Sequence, residues 1–357
     1  MTAADHALEA YDFRLPPELI AQEPLAERDA SRLLRLDRAT GAVEHRRFRE
    51  LPELLRPGDL LVLNRSRVFP ARLLGRRPNG GPAEILLVRR HDVGLWEALV
   101  RPGRRLRPGT LITVAPGLQA RLEAEAGPRA GAPDGRPGPA RLVRLLAADG
   151  DPDAAVERHG HVPLPPYIRR SDTPADRQRY QTVYAREAGS VAAPTAGLHF
   201  TPQLLDRLTA RGIEAATLVL HVGPGTFRPV EVKDVREHRV DPEHYTIPEA
   251  TAAAFNRARA EGRRLIAVGT TTARTLESAL GDDGELHAGS GETALVIAPG
   301  HRFRVLSGLI TNFHLPRSSL LLLVCAFAGR GPVLAAYQEA VRERYRFYSY
   351  GDAMLIL

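Results

Sequence analysis

The periodicity of the sequence changes abruptly near residue 67, and this change limits the folds that the chain can adopt. From about residue 68 to 146, short alternating runs such as AEILLVRR and GTLITVA are separated by Gly and Pro turns at intervals of roughly ten residues. This spacing is typical of a small antiparallel barrel or sandwich. Residues 126–140 (AGPRAGAPDGRPGPA) have no periodicity, so we predict a flexible hairpin there.

On both sides of this block, predicted strands alternate with predicted helices. We expect strands at 31–37, 60–63, 215–221, 264–268, 293–297 and 353–357, and helices at 48–55, 203–211, 249–261, 271–280, 318–328 and 333–344. Such alternation favours a parallel or mixed sheet. We therefore predict an α/β fold, in which residues 1–66 and 152–357 form a discontinuous catalytic domain with a mixed sheet. Residues 67–151 form an inserted antiparallel β-barrel domain.

The composition indicates a protein with a sizeable core and an anionic partner. A chain of 357 residues exceeds the size at which one core keeps growing, which fits two domains. The net charge of +7 favours partners with negative charge, such as nucleic acid. The basic residues are almost all Arg, which suits phosphate recognition but equally fits a GC-rich genome.

The same composition bears on the compartment. Cys325 is the single cysteine, which excludes an intrachain disulfide and a cysteine-based metal cluster. The N-terminal residues MTAADHALEAYDF contain no long apolar run and do not resemble a signal peptide. The longest apolar stretch, at 320–328, is far shorter than the roughly 20 residues that span a bilayer. We expect a cytoplasmic protein with no membrane partner.

Four segments differ from the rest of this charged chain because they contain no Lys, Arg, Asp or Glu. They are residues 189–201 (GSVAAPTAGLHFT), 220–227 (LHVGPGTF), 268–273 (VGTTTA) and 311–316 (TNFHLP). Gly and Pro form turns and allow close approach of a ligand to the backbone. Thr and His side chains are compact hydrogen-bonding groups. We predict that these segments converge on an uncharged polar pocket.

The Gly-Thr-Thr-Thr turn at 269–272 follows a predicted buried strand and leads into a helix. Such a turn presents free N–H groups and hydroxyls to a ligand. It lacks the Lys of a phosphate-binding loop and the three glycines of a dinucleotide-binding loop. A Thr N-cap is the alternative interpretation, but it explains one of the three threonines only.

The histidines at 199, 221, 238, 244 and 314 lack the spacing of a zinc protease, and no Cys or acidic cluster completes a ligand set. We therefore expect no metal, and proton transfer or hydrogen bonding by these histidines. The AAPTAG turn does not match the nucleophile elbow of a serine hydrolase. The aromatics of residues 345–352 (YRFYSYGD) could stack on bases, but burial in the core is the favoured interpretation.

Several long motifs, in order from residue 11 to the C-terminus, together resemble one known family. They are YDFRLPPELIAQEPLAERDASRLLRLDR, GDLLVLNRSRVFPARL, PLPPYIRR, DRQRYQTVYAREAGSVAAPTAGLHFT, LHVGPGTFRPV, AVGTTTARTLES, LITNFHLPRSSL and YRFYSYGDAML. The chain resembles the S-adenosylmethionine:tRNA ribosyltransferase-isomerases of queuosine biosynthesis. The resemblance implies an α/β domain with an inserted β-barrel, a cytoplasmic monomer, and S-adenosylmethionine as co-substrate. It also implies transfer of the ribosyl moiety to the aminomethyl-deazaguanine at the wobble position of a tRNA anticodon stem-loop, with epoxyqueuosine-tRNA, adenine and methionine as products.

The resemblance also implies roles for residues in the charge-free segments and next to them. The candidate proton-transfer residues are His199, His221 and His314. The candidate substrate-binding residues are Thr195, Arg228, Gly269, Thr270, Thr271, Thr272, Asn312 and Glu243. The threonines would hold the ribose or the amino-acid moiety, Arg228 a phosphate or carboxylate, and Asn312 a base edge or the ribose.

The sequence departs from the family pattern in one segment of particular interest. Residues 238–245 read HRVDPEHY where the family commonly has HxMHxE, so Val240 and Asp241 replace the Met and the second His while Glu243 is kept. Two alternatives therefore stay open: the same donor chemistry on a free nucleoside or other amine, and a non-catalytic RNA-binding protein. Adenine release separates the enzymes from the binding protein, and tRNA dependence separates the two enzymes.

Overall fold

The computed structural model describes residues 5–103, 106–125, 140–227 and 229–357. Within these residues the strands are β1 (Arg32–Leu36), β2 (Val43–Arg47), β3 (Leu60–Asn64), β4 (Ser66–Val68), β5 (Arg72–Arg76), β6 (Pro82–Asp92), β7 (Leu95–Arg101), β8 (Leu111–Ala115), β9 (Leu118–Glu125), β10 (Ala140–Ala147), β11 (Glu187–Ser190), β12 (Glu214–Leu220), β13 (Glu243–Ile247), β14 (Leu265–Val268), β15 (Gly289–Thr293), β16 (Gly308–Asn312) and β17 (Ala353–Ile356). The α-helices are α1 (Leu51–Leu54), α2 (Pro152–His159), α3 (Asp176–Arg179), α4 (Pro202–Ala210), α5 (Glu249–Ala260), α6 (Thr270–Ala279), α7 (Ser319–Ala328) and α8 (Arg330–Arg342).

A nine-stranded mixed sheet organises the larger part of the molecule, in the order β15-β13-β12-β3-β14-β16-β17-β1-β2. The four central strands β12, β3, β14 and β16 are parallel to one another. Antiparallel pairs flank them on both sides, β12 with β13 and β16 with β17. The apolar runs LLVLN of β3 and LIAV of β14 are fully buried, as expected for parallel strands that are covered on both faces.

Helices cover both faces of this sheet because successive side chains of a strand point in opposite directions. On β3, Leu60 and Val62 belong to the apolar cluster that includes residues of α5, α6, α7 and α8. Leu61 and Leu63 belong to the cluster on the other face, with residues of α1 and α4. The Leu-rich helix α7 is apolar around nearly its whole circumference because it is buried in the first cluster.

The second architectural unit is a closed antiparallel barrel, in the order β10-β7-β6-β5-β8-β9. Its interior is filled by alternate residues of the strands, among them Leu73, Ile85, Ala98 and Ile112, which are fully buried. The predicted mixed α/β fold with a small antiparallel barrel is thus confirmed. The domain boundaries at 67 and 151 stay predictions. The hairpin predicted at 126–140 lies outside the described residues, apart from Ala140 in β10.

The strand predicted at 293–297 is wrong, since β15 occupies Gly289–Thr293 instead. This strand is at the edge of the sheet and pairs only with β13 among the described strands, so it lacks the apolar residues that mark a central strand. The apolar residues that follow pack as a loop, with Ile297 buried in the core. The neighbouring strand β13 was also missed, because its sequence EHYTI has few apolar residues.

The molecule has no single helix, among the residues described, with the length and apolar composition required to cross a membrane. Helices α7 and α8 meet these criteria only when they are taken together, and they are bent by 117° where they meet.

Candidate active site

The four charge-free segments meet at one edge of the large sheet. Three of them follow or include the carboxyl ends of the parallel strands β12, β14 and β16, which lie at the same edge. The fourth follows β11, which pairs with β4 directly after β3. The edge at which parallel strands end is the usual binding site of open α/β sheets.

A pocket with about 510 Å³ of empty space lies where these segments meet. It is lined by Tyr167, Ala192, Ala193, Pro194, Thr195, Ala196, Val222, Gly269, Thr270, Thr271, Thr311, Asn312, His314, Leu320, Tyr348 and Ser349. Of the predicted site residues, the structure therefore brings together Thr195, Gly269, Thr270, Thr271, Asn312 and His314. The pocket wall contains no Asp, Glu, Lys or Arg among the described residues.

The turn between β14 and α6 requires glycine at position 269. Gly269 has a φ of 95°, a conformation that side chains of L-residues rarely adopt, and its N–H donates to the carbonyl of Ile310. Helix α6 then begins at Thr270, so the N–H groups of its first turn face the pocket side. The Thr272 hydroxyl is buried and donates to the Val268 carbonyl at 2.8 Å. This hydrogen bond is within the protein, and Thr272 does not line the pocket.

Asn312, at the end of β16, offers a free acceptor to the pocket. Its Nδ2 donates to the Tyr348 carbonyl at 2.9 Å, and this contact determines the orientation of the amide. Its Oδ1 is buried and has no hydrogen-bond partner among the described residues. Since a buried carbonyl oxygen is seldom left without a donor, a hydroxyl or amino group of a ligand would complete this site.

His199 is held on the far side of Asn312 and has the contacts of a structural residue. Its Nδ1 lies 2.8 Å from the Ser31 hydroxyl, its Nε2 lies 3.3 Å from Asn312 Nδ2, and its ring stacks on Phe48. Burial lowers the pKa of His199 to about 4, so the imidazole is neutral at pH 7. The ring lines a separate, smaller depression beside Arg28. His199 was predicted to lie among the pocket residues, and the structure places it outside the pocket.

His314 lies in the pocket wall. Its Nε2 is 2.8 Å from the Thr311 hydroxyl, and its backbone N–H donates to the Tyr337 hydroxyl. Burial lowers the pKa of His314 to about 3, so this imidazole stays neutral and acts as a hydrogen-bonding group rather than as a cation.

A larger groove adjoins the pocket and runs between the barrel and the sheet. It shares Val222 and Leu320 with the pocket. From the barrel it takes residues of β6 and β7 such as Arg89 and Trp96. From the α/β part it takes the segments 221–225 and 240–244 together with Arg274, and its empty space is about 2470 Å³.

His221 lies in this groove, next to Gly189 of the charge-free segment 189–201. Its Nδ1 is buried and has no hydrogen-bond partner among the described residues. Burial is the main cause that lowers the pKa of His221, and the neighbouring His244 lowers it further. The ring packs directly on Gly189, where a Cβ would lie 2.6 Å from His221 Cε1, so only glycine allows this position of the imidazole.

Glu243 and Arg274 form a buried ion pair that also lines the groove. Glu243 Oε2 lies 3.0 Å from Arg274 Nη2, and the two side chains are 6% and 8% exposed. Glu243 Oε1 accepts a hydrogen bond from the Gly223 N–H at 2.9 Å. Glu243 thereby links β13 to the charge-free segment after β12.

Comparisons with known proteins identify the family. The family described as "Queuosine biosynthesis protein" matches residues 8–356. The chain belongs to this family. It is 53% identical to the S-adenosylmethionine:tRNA ribosyltransferase-isomerase of Moorella thermoacetica over 352 residues, which cover 98% of this chain and 99% of the relative. It is 55% identical to the protein of the same name from Thermus thermophilus over 359 residues, with the same coverage. The crystal structure of S-adenosylmethionine tRNA ribosyltransferase from Thermotoga maritima is 41% identical, with a TM-score of 0.55 over 98% of this chain and 100% of that chain.

For this member of the queuosine biosynthesis family, the divergent segment 238–245 lies along the groove. Asp241, Glu243 and His244 line it. Arg228, predicted to bind an anion, is outside the described residues. Among the residues that are described, no group of three or more His, Cys, Asp or Glu is arranged to hold a metal ion, and the expected absence of a metal stays a prediction.

Two features of the site were missed in the sequence. Arg274 belongs to no recognised motif, and the available signal was an Arg among the Thr, Ala and Leu residues of the helix sequence GTTTARTLES. Tyr348 and Ser349 were interpreted as part of an aromatic segment packed in the core. That interpretation holds for Tyr345, Phe347 and Tyr350, which are buried, but Tyr348 and Ser349 line the pocket.

Proposed function

We propose that this protein transfers the ribosyl moiety of S-adenosylmethionine to the aminomethyl group of a deazaguanine at the wobble position of tRNA and isomerises it. The products are epoxyqueuosine-tRNA, adenine and methionine. S-adenosylmethionine and tRNA both appear in the names of the full-length relatives, which are 53% and 55% identical to this chain. The deazaguanine acceptor and the epoxide product belong to our proposal.

The observation that carries the proposal is the charge-free pocket that opens beside His221. Its hydroxyls, amide and neutral imidazole suit a cationic sulfonium nucleoside, which would be repelled by Arg or Lys. The buried Asn312 Oδ1 supplies an acceptor for a ribose hydroxyl or an adenine amino group. This pocket is continuous with a groove wide enough for a nucleotide of the tRNA.

His221 is the histidine with the strongest support as general base. A sulfonium acidifies the hydrogens of the neighbouring ribose carbon, so a neutral imidazole suffices to remove one of them. The lowered pKa keeps His221 neutral at pH 7, and the residue lines the groove directly before Val222, which lines both the groove and the pocket. Its Nδ1 has no hydrogen-bond partner among the described residues. His199 has contacts at both ring nitrogens, and His314 shares its Nε2 with Thr311.

The charge of the groove suits an amine as the acceptor of the ribosyl group. Among the described residues, its wall contains Arg89, Arg90 and Arg274, against six carboxylates from Glu97, Asp153, Glu157, Asp241, Glu243 and Glu292. This excess of carboxylates favours an aminomethyl group, which is cationic until it loses a proton. The same feature supports the alternative of a free nucleoside or other amine acceptor, which the departure at Val240 and Asp241 keeps open.

The deciding experiment uses the purified protein, S-adenosylmethionine and anticodon stem-loops that carry or lack the aminomethyl-deazaguanine. We expect adenine release together with a mass increase of the modified stem-loop only. Adenine release without a stem-loop mass shift would favour another acceptor. Lack of adenine release with either stem-loop would favour a non-catalytic RNA-binding protein. The monomeric state, the cytoplasmic location and the absence of a metal are part of the proposal and are tested separately.

A further inference from the structure

Arg274 is a buried cation whose hydrogen-bonding capacity the described residues do not fill. Its side chain is 8% exposed, and its Nε and Nη2 are buried without a hydrogen-bond partner among the described residues. The 3.0 Å contact with Glu243 brings the two charges together but leaves Nε and Nη2 of Arg274 without a hydrogen bond within the described part of the chain. Buried guanidinium groups are rarely left in this state, because each unmade hydrogen bond of a charged group is costly.

The carboxylate of the pair has its two oxygens next to different groups. Glu243 Oε1 accepts a hydrogen bond from the Gly223 N–H, and Glu243 Oε2 faces Arg274. The two side chains thus present a positive fork and a negative oxygen next to each other at the wall of the groove. An α-amino acid carries the complementary charges, a carboxylate and an ammonium on one carbon.

The position of Arg274 on its helix relates the pair to the nucleoside pocket. Thr270 and Thr271 line the pocket, and Arg274 follows them at the i+4 and i+3 positions of α6. Residues at these separations lie on one face of a helix, about 5–6 Å apart between their Cβ atoms. A ligand whose ribose contacts the first turn of α6 can therefore extend along the same face to Arg274.

We propose that Arg274 and Glu243 form a clamp for the zwitterionic amino-acid end of the sulfonium donor. Arg274 binds the α-carboxylate, and Glu243 binds the α-ammonium group. This inference rests on the proposed function, since it takes S-adenosylmethionine as the donor. It assigns the methionyl end to the groove and the nucleoside to the pocket, and it predicts that free methionine, the product, competes at the same place.

The test is a comparison of two ligands across matched variants, measured by isothermal titration calorimetry. The ligands are S-adenosylmethionine and its decarboxylated analogue, which keeps the sulfonium, the nucleoside and the amine. Arg274→Lys keeps the charge but loses the planar fork, and we expect about a 10- to 100-fold weaker affinity for S-adenosylmethionine. The affinity of Arg274→Lys for the decarboxylated analogue should stay within about threefold of the wild-type value, since the affected hydrogen bonds are absent from this ligand.

Glu243→Gln is tested in the same way with the analogue that lacks the α-amino group. The amide oxygen of Gln can still accept from the Gly223 N–H, so the local fold is preserved while the negative charge is removed. We expect weaker binding of S-adenosylmethionine and little change for the deaminated analogue. Arg264→Lys is the control, because Arg264 makes a two-point ion pair with Asp59 at the opposite end of β14. It should leave the affinity for both ligands unchanged.

Equal losses for S-adenosylmethionine and its truncated analogues would mean that the pair has only a structural role, and would overturn the clamp. Weaker binding of the anticodon stem-loop with unchanged binding of S-adenosylmethionine would assign Arg274 to a tRNA phosphate and would also overturn it. The experiments can reject the clamp and the proposed function independently of each other. Ligand-selective losses in a protein that modifies no tRNA would support the clamp and reject the acceptor. Wild-type protein that does not bind S-adenosylmethionine would reject both.

Discussion

The three histidines predicted from the sequence have different environments, and the difference decides what each can do. His199 and His314 are buried with pKa values lowered to about 4 and about 3. His221 is partly exposed in the groove, and its imidazole packs on Gly189. Only His221 combines access to the groove with a ring nitrogen that has no partner in the described part of the chain.

We expect His221→Ala to lower the rate of adenine release by about 10²- to 10⁴-fold, the usual contribution of a general base. His199→Gln should have a much smaller effect on the rate, because its ring does not reach the pocket. In the wild type, kcat/KM should decrease as the pH falls through the lowered pKa of His221, so the acidic limb lies below pH 6.5. An unchanged rate in His221→Ala, measured by chromatography of adenine, would remove this residue from the mechanism.

The two buried histidines should make the folded state sensitive to acid. The unfolded chain binds a proton at each of them near pH 6.5, whereas the folded chain does so only near pH 4 and pH 3. Their contribution is fully present above pH 6.5 and is lost as the pH falls below it. Each should lower the free energy of unfolding by about 1.4 kcal/mol per pH unit between pH 6 and 4.5.

Urea unfolding at pH 7.5, 5.5 and 4.5 measures this dependence. His199→Gln should be less stable than the wild type at pH 7.5 but should lose less stability on acidification, because one of the two groups is gone. The prediction is wrong when the wild type and the variant show the same change between pH 5.5 and 4.5.

At the scale of elements, a chain of hydrogen bonds positions the segment that carries His221. Asn64, at the end of β3, binds both backbone groups of Leu220. The Ser190 hydroxyl accepts from the Val222 N–H at 3.0 Å and donates to Ser66. The residues before and after His221 are therefore held by β3 and β11, two elements that are distant in sequence.

We expect Ser190→Ala to destabilise the protein by about 1–3 kcal/mol, because the buried Val222 N–H loses its acceptor. It should also lower kcat more than it raises KM for S-adenosylmethionine, since His221 loses its support. Ser307→Ala is the matched control: its hydroxyl accepts from the Leu265 N–H at the other end of the sheet. Equal kcat values in the two variants, at equal thermal stability, would show that Ser190 does not position His221.

The elements also show where residue patterns are informative. The barrel strands and the buried strands β3 and β14 were predicted because period-two alternation and short apolar runs are direct consequences of burial on one or two faces. The edge strand β15 has a mostly exposed GSGET sequence, which carries neither pattern. Its strand conformation depends on pairing with β13, and no local sequence signal reports such pairing.

At the scale of the whole molecule, the charge of the groove is opposite to the net charge. The chain carries +7, yet the groove wall has six carboxylates and three arginines among its described residues. The excess of Arg must therefore lie mainly outside the groove, where, under the proposed function, it would bind the phosphates around the modified nucleotide. The tRNA backbone and the reacting groups would then be recognised by surfaces of different charge.

This separation predicts different salt dependences for the two substrates. Stem-loop binding should weaken by roughly 10-fold or more between 50 and 200 mM salt, since several phosphate contacts release counterions. Binding of S-adenosylmethionine, which is held in a largely uncharged pocket and by a buried ion pair, should change by less than about twofold. Fluorescence anisotropy of a labelled stem-loop and calorimetry of the donor provide the comparison. A stem-loop affinity that is independent of salt would contradict recognition through phosphates.

The sequence alone determined the fold class and the location of the pocket. Periodicity reports burial, so the change near residue 67 indicated the barrel, and the charge-free segments 189–201, 220–227, 268–273 and 311–316 indicated the loops that form the pocket. Only the tertiary structure decided which histidine reaches the groove and that Arg274 pairs with Glu243. Exposure and hydrogen-bond partners depend on residues contributed by distant parts of the chain, and no local pattern encodes them.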